Sequence, residues 1–295
     1  MPVALAPGGR GRGKHRRHLE KGAGGTGSII PDSWVMTSIC PETTLKTHDL
    51  LVSHPDGVAE RLRTLSPAHC RLALLDLSLL SPLIERPGEL APLLSPAEND
   101  LFHQFRSPKR RLEWLGGRLA AKHCLHRLLA PATSLLSFQQ YSILPDSHGR
   151  PSLESAPSGR PAASVSISHS RGYAAALACQ VGSCGIDIQH LTPQLATVAE
   201  RFARVEELDL IDSRLAPLTR LGLIWTAKEA VKKCLLADHP SFFGMIRLTR
   251  VERDREASLW TALCQVSQPA VMTATVRITE IGDHLVACTT GGAHA

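Results

Sequence analysis

The sequence predicts an α+β protein made of two similar halves that pack against each other. The order strands–helix followed by strand–helices–strands occurs roughly twice, and the last third of the chain alternates in the manner of paired strands. Hydrophobic residues make up 43% of the 295-residue chain, enough for one large domain or two smaller ones. No apolar run is long enough to span a bilayer, so no membrane association is expected.

In the first half, residues 71–77 have the composition of a buried strand. Residues 95–98, SPAE, combine an N-cap serine, a proline at the first helical position and a glutamate three residues later, so they predict a helix start. Ser107-Pro108 starts a second helix that we expect to end near Leu129, and residues 149–151 form a Gly-Arg-Pro turn.

In the rest of the chain, a Thr-Pro pair at 192–193 predicts a helix to about Phe202, and apolar periodicity predicts a longer helix over residues 218–236. Gly282-Asp283 is a hairpin turn signal. Strands are expected over residues 163–168, 173–179, 184–189, 245–251, 258–266, 271–281 and 284–289.

The net charge of +6 is concentrated at the N-terminus, where six Lys/Arg and one Glu precede residue 22. Residues 1–30 are rich in Gly, Arg and Lys, so we expect disorder; a transit peptide, or translation starting at Met36, are the alternatives. The remainder is nearly neutral and has only six Phe and two Tyr, which disfavours a nucleic-acid partner.

The eight cysteines are scattered, contain no C-x-x-C pair and follow no secretory signal. We therefore expect reduced thiols that fill space in the core of a cytoplasmic protein. The cluster His123-Cys124-Leu125-His126 has no second Cys/His group nearby in sequence, so a zinc site is not expected.

Two acidic residues in the second half indicate chemistry. Asp187 lies in the middle of an apolar strand, GIDIQ, and a buried carboxylate there must face a cationic group. Glu229 lies one helical turn from both Trp225 and Lys233; the alternative is an exposed ion pair. Two carboxylates with lysines nearby are what a Mg²⁺–diphosphate site needs.

Two further patterns have either a structural or a functional explanation. Arg111, Arg118 and Lys122 share a helix face interrupted by Gly116-Gly117, which fits a solvated basic face or a phosphate site. Ser168-His169-Ser170 ends a strand with groups that bind phosphate or simply terminate the strand. Neighbours on a strand point to opposite faces, so Ser168 and His169 are not a nucleophile–base pair.

In chain order, these motifs resemble the signature of the 4′-phosphopantetheinyl transferase superfamily, in its larger, monomeric, surfactin-activating type, over about residues 65–290. The matching segments are Gly149-Arg150-Pro151, Ser168-His169-Ser170, Gly185-Ile186-Asp187-Ile188, the F-x-x-x-E of residues 202–206 and the W-x-x-K-E-A-x-x-K of residues 225–233. Residues 114–122 also resemble the G-R-x-A-A-K helix of bacterial members.

The resemblance implies a pseudo-dimer of two α+β halves with coenzyme A bound in the cleft between them. It divides the chain into a basic tail (1–35), an N-terminal half (36–183) and a C-terminal half (184–290). It implies a Mg²⁺-dependent enzyme that transfers 4′-phosphopantetheine from coenzyme A to a serine of an apo acyl- or peptidyl-carrier protein and releases 3′,5′-ADP. A non-catalytic module that binds coenzyme A or a carrier protein is the alternative, and the partner synthase stays open.

The resemblance also implies roles for single residues. Asp187 and Glu229 would hold Mg²⁺, and a carboxylate near the metal, Glu229 by preference or Glu206, would take the serine proton. Where most bacterial members have D-x-E, this chain has Gln189, which offers a carbonyl oxygen without charge. The residues expected to contact or support the phosphates are Ser168, His169, Lys233, Arg150 and Arg118.

Overall fold

The computed structural model describes residues 58–130, 137–157, 162–236, 238–239, 243–267 and 271–292. The predicted basic tail and Met36 lie outside these ranges. Within them, no helix combines the length and the apolar character needed to cross a membrane.

Helices and antiparallel strands alternate along the described chain, which confirms the predicted α+β class. The helices are α1 Val58–Leu65, α2 Ser81–Ile84, α3 Pro96–Gln104, α4 Pro108–Leu129, α5 Gln194–Thr197, α6 Val205–Leu208 and α7 Pro217–Leu235. The strands are β1 Cys70–Asp76, β2 Ser142–Pro145, β3 Pro151–Ser155, β4 Ser164–Ser170, β5 Tyr173–Cys179, β6 Ser183–His190, β7 Ile246–Asp254, β8 Leu259–Val266, β9 Met272–Ile281 and β10 His284–Gly291.

The strands of the two halves follow the same order. In the C-terminal half one antiparallel sheet runs β6-β10-β9-β8-β7. In the N-terminal half the sheet β1-β5-β4 is followed by the hairpin β2-β3, whose strand β3 contacts β4. Each strand before β6 therefore has a counterpart five strands later, as expected for a duplicated unit.

The elements form four layers, with α4 and α7 on the outside and the two sheets between them. One apolar core lies between α4 and its sheet, and a second lies between α7 and the other sheet. A third core, which includes Leu74, Leu177, Ile186 and Val286, joins the two sheets face to face. Burial on both faces explains why β5 is almost wholly apolar and why the first six residues of β10 are buried.

Each half contains a fully buried lysine–glutamate pair that links the long helix to a short helix and a strand. Lys122 of α4 bonds Glu98 of α3 and the carbonyl of Leu93, while Glu98 accepts the N–H of Ile143 in β2. Burial lowers the pKa of Lys122, and the charge of Glu98 opposes that effect.

The C-terminal half repeats the pair. Lys228 of α7 donates to Glu207 of α6 at 2.8 Å and to the carbonyl of Phe202 at 2.6 Å. Glu207 accepts the N–H of Leu248 in β7 at 2.8 Å. Because a buried charge without a partner is costly, each pair fixes the rotation of its long helix on the sheet.

Close helix–sheet contacts allow the halves to be matched residue by residue. A Cβ on Gly116 of α4 would meet Leu77 and Ala174, and a Cβ on Gly222 of α7 would meet Leu191 and Leu285. Ala73 lies four residues before Leu77, and Asp187 lies four residues before Leu191. Ala73 pairs with Ala176 in its sheet, and Asp187 pairs with Ala287 in the other. Six residues after each glycine stands the buried lysine, and seven after stand His123 and Glu229. Ala73 and His123 thus occupy the positions that match Asp187 and Glu229.

The two junctions between the halves differ in what fills them. At the first, β4 contacts β6 directly. At the matching second junction, α1 contacts both β1 and β9, and its buried Val58, Leu62 and Leu65 complete the core between the sheets. Arg61 ties this helix to the carbonyl of Glu280 at 2.9 Å.

The prediction of one continuous helix over residues 193–202 is wrong. It is broken into α5 and a 3₁₀ turn, Ala199–Arg201, because the backbone leaves helical geometry at Val198, where φ is −115° and ψ is 7°. Thr197 and Val198 form a β-branched pair at this point, and such residues lose rotamer freedom in a helix. The strands β2 and β3 and the helix α1 were not anticipated.

The expectation of uniformly reduced thiols is also wrong. Cys70 of β1 and Cys179 of β5 stand opposite each other in the sheet and form a disulfide. Five further cysteines, at 124, 184, 234, 264 and 288, are free and buried. Cys40 lies outside the described residues.

We expect Lys228→Met to lower the free energy of unfolding by about 3–5 kcal/mol, because it leaves the Glu207 carboxylate buried without its partner. Urea denaturation measures this change. The double variant Lys228→Met/Glu207→Gln should recover much of the loss, since the unpaired charge is then removed. A single variant within about 1 kcal/mol of the parent, the range of an exposed ion pair, would contradict a buried pair.

Candidate active site

The helix α7 lies against β6 at a distance that only glycine permits. A Cβ on Gly185 would stand 2.0 Å from the carbonyl oxygen of Ala230. This contact brings the backbone of α7 to the strand that carries Asp187. It gives the glycine of the G-I-D segment a physical role, which is to set the spacing between the two carboxylate-bearing elements.

Asp187 is the centre of the site. Its side chain is 7% exposed, and its Oδ1 accepts hydrogen bonds from Ser168 Oγ at 2.8 Å and from Lys233 Nζ at 2.7 Å. Lys233 also donates to the carbonyl of Ile186 at 3.0 Å. The other oxygen, Oδ2, is buried and has no hydrogen-bond partner among the described residues.

Glu229 lies on α7, one turn before Lys233, and is half-buried. Burial raises its pKa above the usual range, and the negative charge of Asp187 raises it further, while Lys233 and Lys232 act in the opposite direction. The two carboxylates lie on elements that pack against each other, α7 and β6, so the charge of one acts on the other. Gln189 shares a face of β6 with Asp187, and its amide nitrogen donates to the carbonyl of His190 at 2.8 Å.

A row of three serines on β4 joins the two halves beside Asp187. Ser166 Oγ accepts the N–H of Ile186 at 3.1 Å, and Ser170 Oγ accepts the N–H of His190 at 3.0 Å. Ser168, between them, donates to Asp187. Hydroxyl groups therefore satisfy the outer edge of β6, where a backbone ladder would otherwise be needed.

His169 points to the opposite face of β4, as strand alternation predicts. Its Nδ1 lies 3.7 Å from Oε1 of Glu113 on α4. Burial lowers the pKa of His169; the charge of Glu113 opposes that effect, and Arg110, Lys233 and Lys109 add to it. The sequence analysis did not identify Glu113. This residue lies one helical turn before Gly117, and a Cβ on Gly117 would meet Ile167 of β4, so both residues lie on the helix face that packs on this strand.

A cavity of about 510 Å³ opens beside the serine row. Its wall includes Arg150, Ser166 and Lys233, together with Cys184 and Cys234. The guanidinium of Arg150 is bonded to Asp146 at 2.6 Å and lies 3.4 Å from Asp238. The structure thus brings Arg150 and Lys233 to one cavity.

Arg118 has a different environment from the one expected for a phosphate ligand. Its side chain is buried, its Nε donates to the carbonyl of Ile143 at 2.8 Å, and its guanidinium stacks on Trp114 at 4.7 Å. Burial lowers the pKa of Arg118 to about 10. These contacts tie α4 to β2, and a contact between Arg118 and phosphate stays a prediction.

The glutamate that turns inward from α6 is Glu207 and not Glu206. Glu206 is exposed, whereas Glu207 is fully buried against Lys228. The two are adjacent, so no periodicity in the sequence separates them. Exposure places Glu206 away from the buried pair, and its predicted part in proton transfer is not supported by a contact here.

The donor set around Asp187 fits a hard divalent cation. The described residues contain no complete set of three His, Cys, Asp or Glu side chains placed as metal ligands. Mg²⁺ does not need one, because it usually takes one or two carboxylates and fills its shell with water and substrate phosphate. The unpartnered Oδ2 of Asp187 and the mutual repulsion between Asp187 and Glu229 are what such an ion would relieve.

These features define the class of protein: an α+β enzyme with a two-carboxylate site where its halves meet. A family model described as the 4′-phosphopantetheinyl transferase superfamily matches residues 183–288, and one described as the 4′-phosphopantetheinyl transferase N-terminal domain matches residues 98–179. The chain belongs to the 4′-phosphopantetheinyl transferase superfamily, and the N-terminal match fits its larger type.

Curated relatives match about a third of the chain and cover most of their own length. The holo-[acyl-carrier-protein] synthase of Bacillus pumilus is 35% identical over 107 residues, which cover 36% of this chain and 88% of the relative. That of Geobacillus kaustophilus is 36% identical over 105 residues, covering 35% and 80%. Among solved structures, a holo-(acyl-carrier-protein) synthase from Bacillus anthracis in complex with CoA (3′,5′-ADP) is 20% identical with a TM-score of 0.33, covering 37% of this chain and 92% of that one.

We expect Gly185→Ala to destabilise the protein by about 1–3 kcal/mol, the range for overpacking, because the added methyl group meets the backbone of Ala230 and not a flexible side chain. Denaturation midpoints measure the effect. Gly88→Ala is the matched control, since a Cβ there has nothing within 4 Å. Equal stability of the two variants would show that α7 and β6 separate freely.

Proposed function

We propose that this protein transfers 4′-phosphopantetheine from coenzyme A to a serine hydroxyl of an apo acyl- or peptidyl-carrier protein, in a Mg²⁺-dependent reaction that releases 3′,5′-ADP. The single observation that carries the proposal is that the two oxygens of the Asp187 carboxylate have different environments. One oxygen is held by Ser168 and Lys233, and the other is buried and unpartnered. The curated relatives that match the chain at 35% and 36% identity are holo-[acyl-carrier-protein] synthases, which supports the proposal.

Asp187 and Glu229, with the carbonyl oxygen of Gln189, are the residues that would hold Mg²⁺. The ion would neutralise charge on the diphosphate of coenzyme A. Held by Ser168 and Lys233, Asp187 keeps a fixed rotamer, so its free oxygen is oriented before any ligand arrives. This arrangement supports a metal role for Asp187 over a role as a simple ion pair.

The basic groups at the junction would bind the phosphates. Lys233 lies at the boundary between Asp187 and the cavity, with a side chain 26% exposed, so its ammonium group is accessible to a ligand. His169 would contribute from the face of β4 that is turned toward α4, where its Nδ1 lies 3.7 Å from Glu113. Arg150 on the far wall of the cavity would hold the end of coenzyme A that lies away from the reacting phosphate.

In the proposed reaction the serine oxygen of the carrier protein attacks the β-phosphate of coenzyme A, and the bond to the 3′,5′-ADP oxygen breaks. The serine proton goes to Glu229, directly or through water. Glu229 is preferred over Glu206 for this role because it is half-buried beside Asp187, whereas Glu206 is exposed. Positioning and charge neutralisation supply most of the rate enhancement in such transfers.

A monomer is proposed, because both halves of the site lie in one chain. The location proposed is the cytoplasm, where a donor such as coenzyme A is available. The test is incubation with coenzyme A, Mg²⁺ and several apo-carrier proteins, read by intact mass. Addition of one phosphopantetheinyl group to the carrier serine supports the proposal; coenzyme A binding without transfer would instead support a non-catalytic binding module.

We expect Asp187→Asn and Glu229→Gln each to lower the transfer rate by roughly a hundredfold or more, because each removes a charge from the reacting centre without changing side-chain size. Initial rates with an apo-carrier protein measure the loss, and circular dichroism checks the fold. Glu252→Gln, an exposed carboxylate paired with Arg250, is the control and should retain parental activity. Near-parental rates for either site variant would contradict the role proposed for that residue.

We expect Gln189→Glu to lower the Mg²⁺ concentration needed for half-maximal rate, because a carboxylate is a better ligand for a hard cation than an amide. A Mg²⁺ titration of initial rate at saturating coenzyme A measures this. An unchanged or higher requirement would mean that Gln189 does not face the metal. The backbone carbonyl of His190 loses the Gln189 amide donor in this variant, so Gln189→Met serves as its control.

A further inference from the structure

Glu113 places a negative charge in a part of the proposed site where phosphate binding requires positive charge. Glu113 is on α4, with a side chain 15% exposed, and its Oε1 lies 3.7 Å from Nδ1 of His169. Lys109, one turn earlier on the same helix, lies 3.8 Å from the same oxygen. A negative charge beside groups that bind phosphate opposes phosphate binding unless it acts through one of those groups.

The geometry selects His169 as that group. Lys109 is 83% exposed, so its pairing with Glu113 is screened by solvent and worth little. His169, in contrast, is half-buried on β4, and its position is fixed because its neighbours Ser168 and Ser170 are both bonded to β6. Neither ring nitrogen has a hydrogen-bond partner among the residues that the structure describes, and Nδ1 is the nitrogen that lies 3.7 Å from the Glu113 carboxylate.

We infer that Glu113 is a positioning residue: it orients His169 through Nδ1 so that Nε2 is presented to a phosphate oxygen of coenzyme A. In the free protein the neutral imidazole carries its proton on Nδ1, toward Glu113. When a phosphate group arrives, the ring takes one proton from solvent at Nε2 and donates it in a charge-assisted hydrogen bond. The identity of the phosphate ligand rests on the proposed function, whereas the orientation of His169 does not.

The surrounding charges explain why the acid is needed. Burial lowers the pKa of His169 most, and the charges of Arg110 and Lys109 of α4 and of Lys233 of α7 lower it further. Glu113 is the one acidic group that acts on this ring in the described structure, and it raises the pKa. Without it, burial and all the charged neighbours that act on the ring would lower its pKa, which opposes the protonated form that can donate to a phosphate.

The first experiment needs no ligand. Nitrogen chemical shifts of His169 in the free protein give its tautomer and its titration midpoint. We expect the Nδ1–H tautomer in the parent, and a midpoint at lower pH in Glu113→Gln, which removes the charge but keeps the size. Glu89→Gln, an exposed carboxylate paired with Arg86, is the matched control and should leave the midpoint unchanged. An Nε2–H tautomer in the parent overturns the inference even if the variant fails to fold.

The second experiment measures coenzyme A binding by calorimetry in buffers of different ionisation enthalpy. The parent should take up a proton near neutral pH, and Glu113→Gln should bind roughly tenfold more weakly there, the size of one hydrogen bond to a charged group. In a His169→Gln background the Glu113 substitution should have no further effect. An equal loss in both backgrounds would overturn the inference and show a merely structural role. Absence of coenzyme A binding by the parent would instead refute the proposed function, and the tautomer would still decide the role of Glu113.

Discussion

The buried lysine–glutamate pair is the constraint on which both halves depend. In each half the long helix must present one lysine to a glutamate that also holds a strand N–H, so the rotation and the height of the helix are fixed together. In the C-terminal half this fixes more than the fold. Lys228 points inward, and the next residue on the same helix, Glu229, is therefore directed to the strand that carries Asp187.

The candidate site combines groups from both halves, and each half supplies a different kind of chemistry. The C-terminal half brings the two carboxylates and Lys233 together through the close approach of α7 and β6. The N-terminal half supplies Ser168 and His169 from alternate faces of β4, so that one strand serves both Asp187 and the region facing α4. A rigid strand edge is a more accurate support for such groups than a loop.

Much of this could be predicted from the sequence, where a local pattern carries the information. Capping residues predicted the start of α4, and apolar runs predicted β5, because these signals depend on neighbours in the chain. Asp187, Glu229 and Lys233 were found because a carboxylate in an apolar strand and an acid one turn from a base are unusual. The order of those motifs along the chain indicated the family, and the family models confirm that prediction.

The features that could not be predicted from the sequence depend on which helices and strands become neighbours in the fold. Glu206 and Glu207 are adjacent, and only the approach of Lys228 selects the second. The pairing of Cys70 with Cys179 requires β1 and β5 to be neighbours, although 109 residues separate them. Glu113 belongs to the site only because α4 crosses β4 at His169. The strands β2 and β3 were missed because they are short and half-polar.

The filling of the second junction by α1 has a consequence for stoichiometry. A protein with two matching halves has two geometrically related places where a ligand could be shared between them. At one, Ala73 and His123 stand where the two carboxylates stand at the other, and the buried Val58, Leu62 and Leu65 of α1 fill the space. Within the described residues, the duplicated framework therefore holds the facing carboxylates at one of its two junctions, and the N-terminal half forms a wall of the proposed site there.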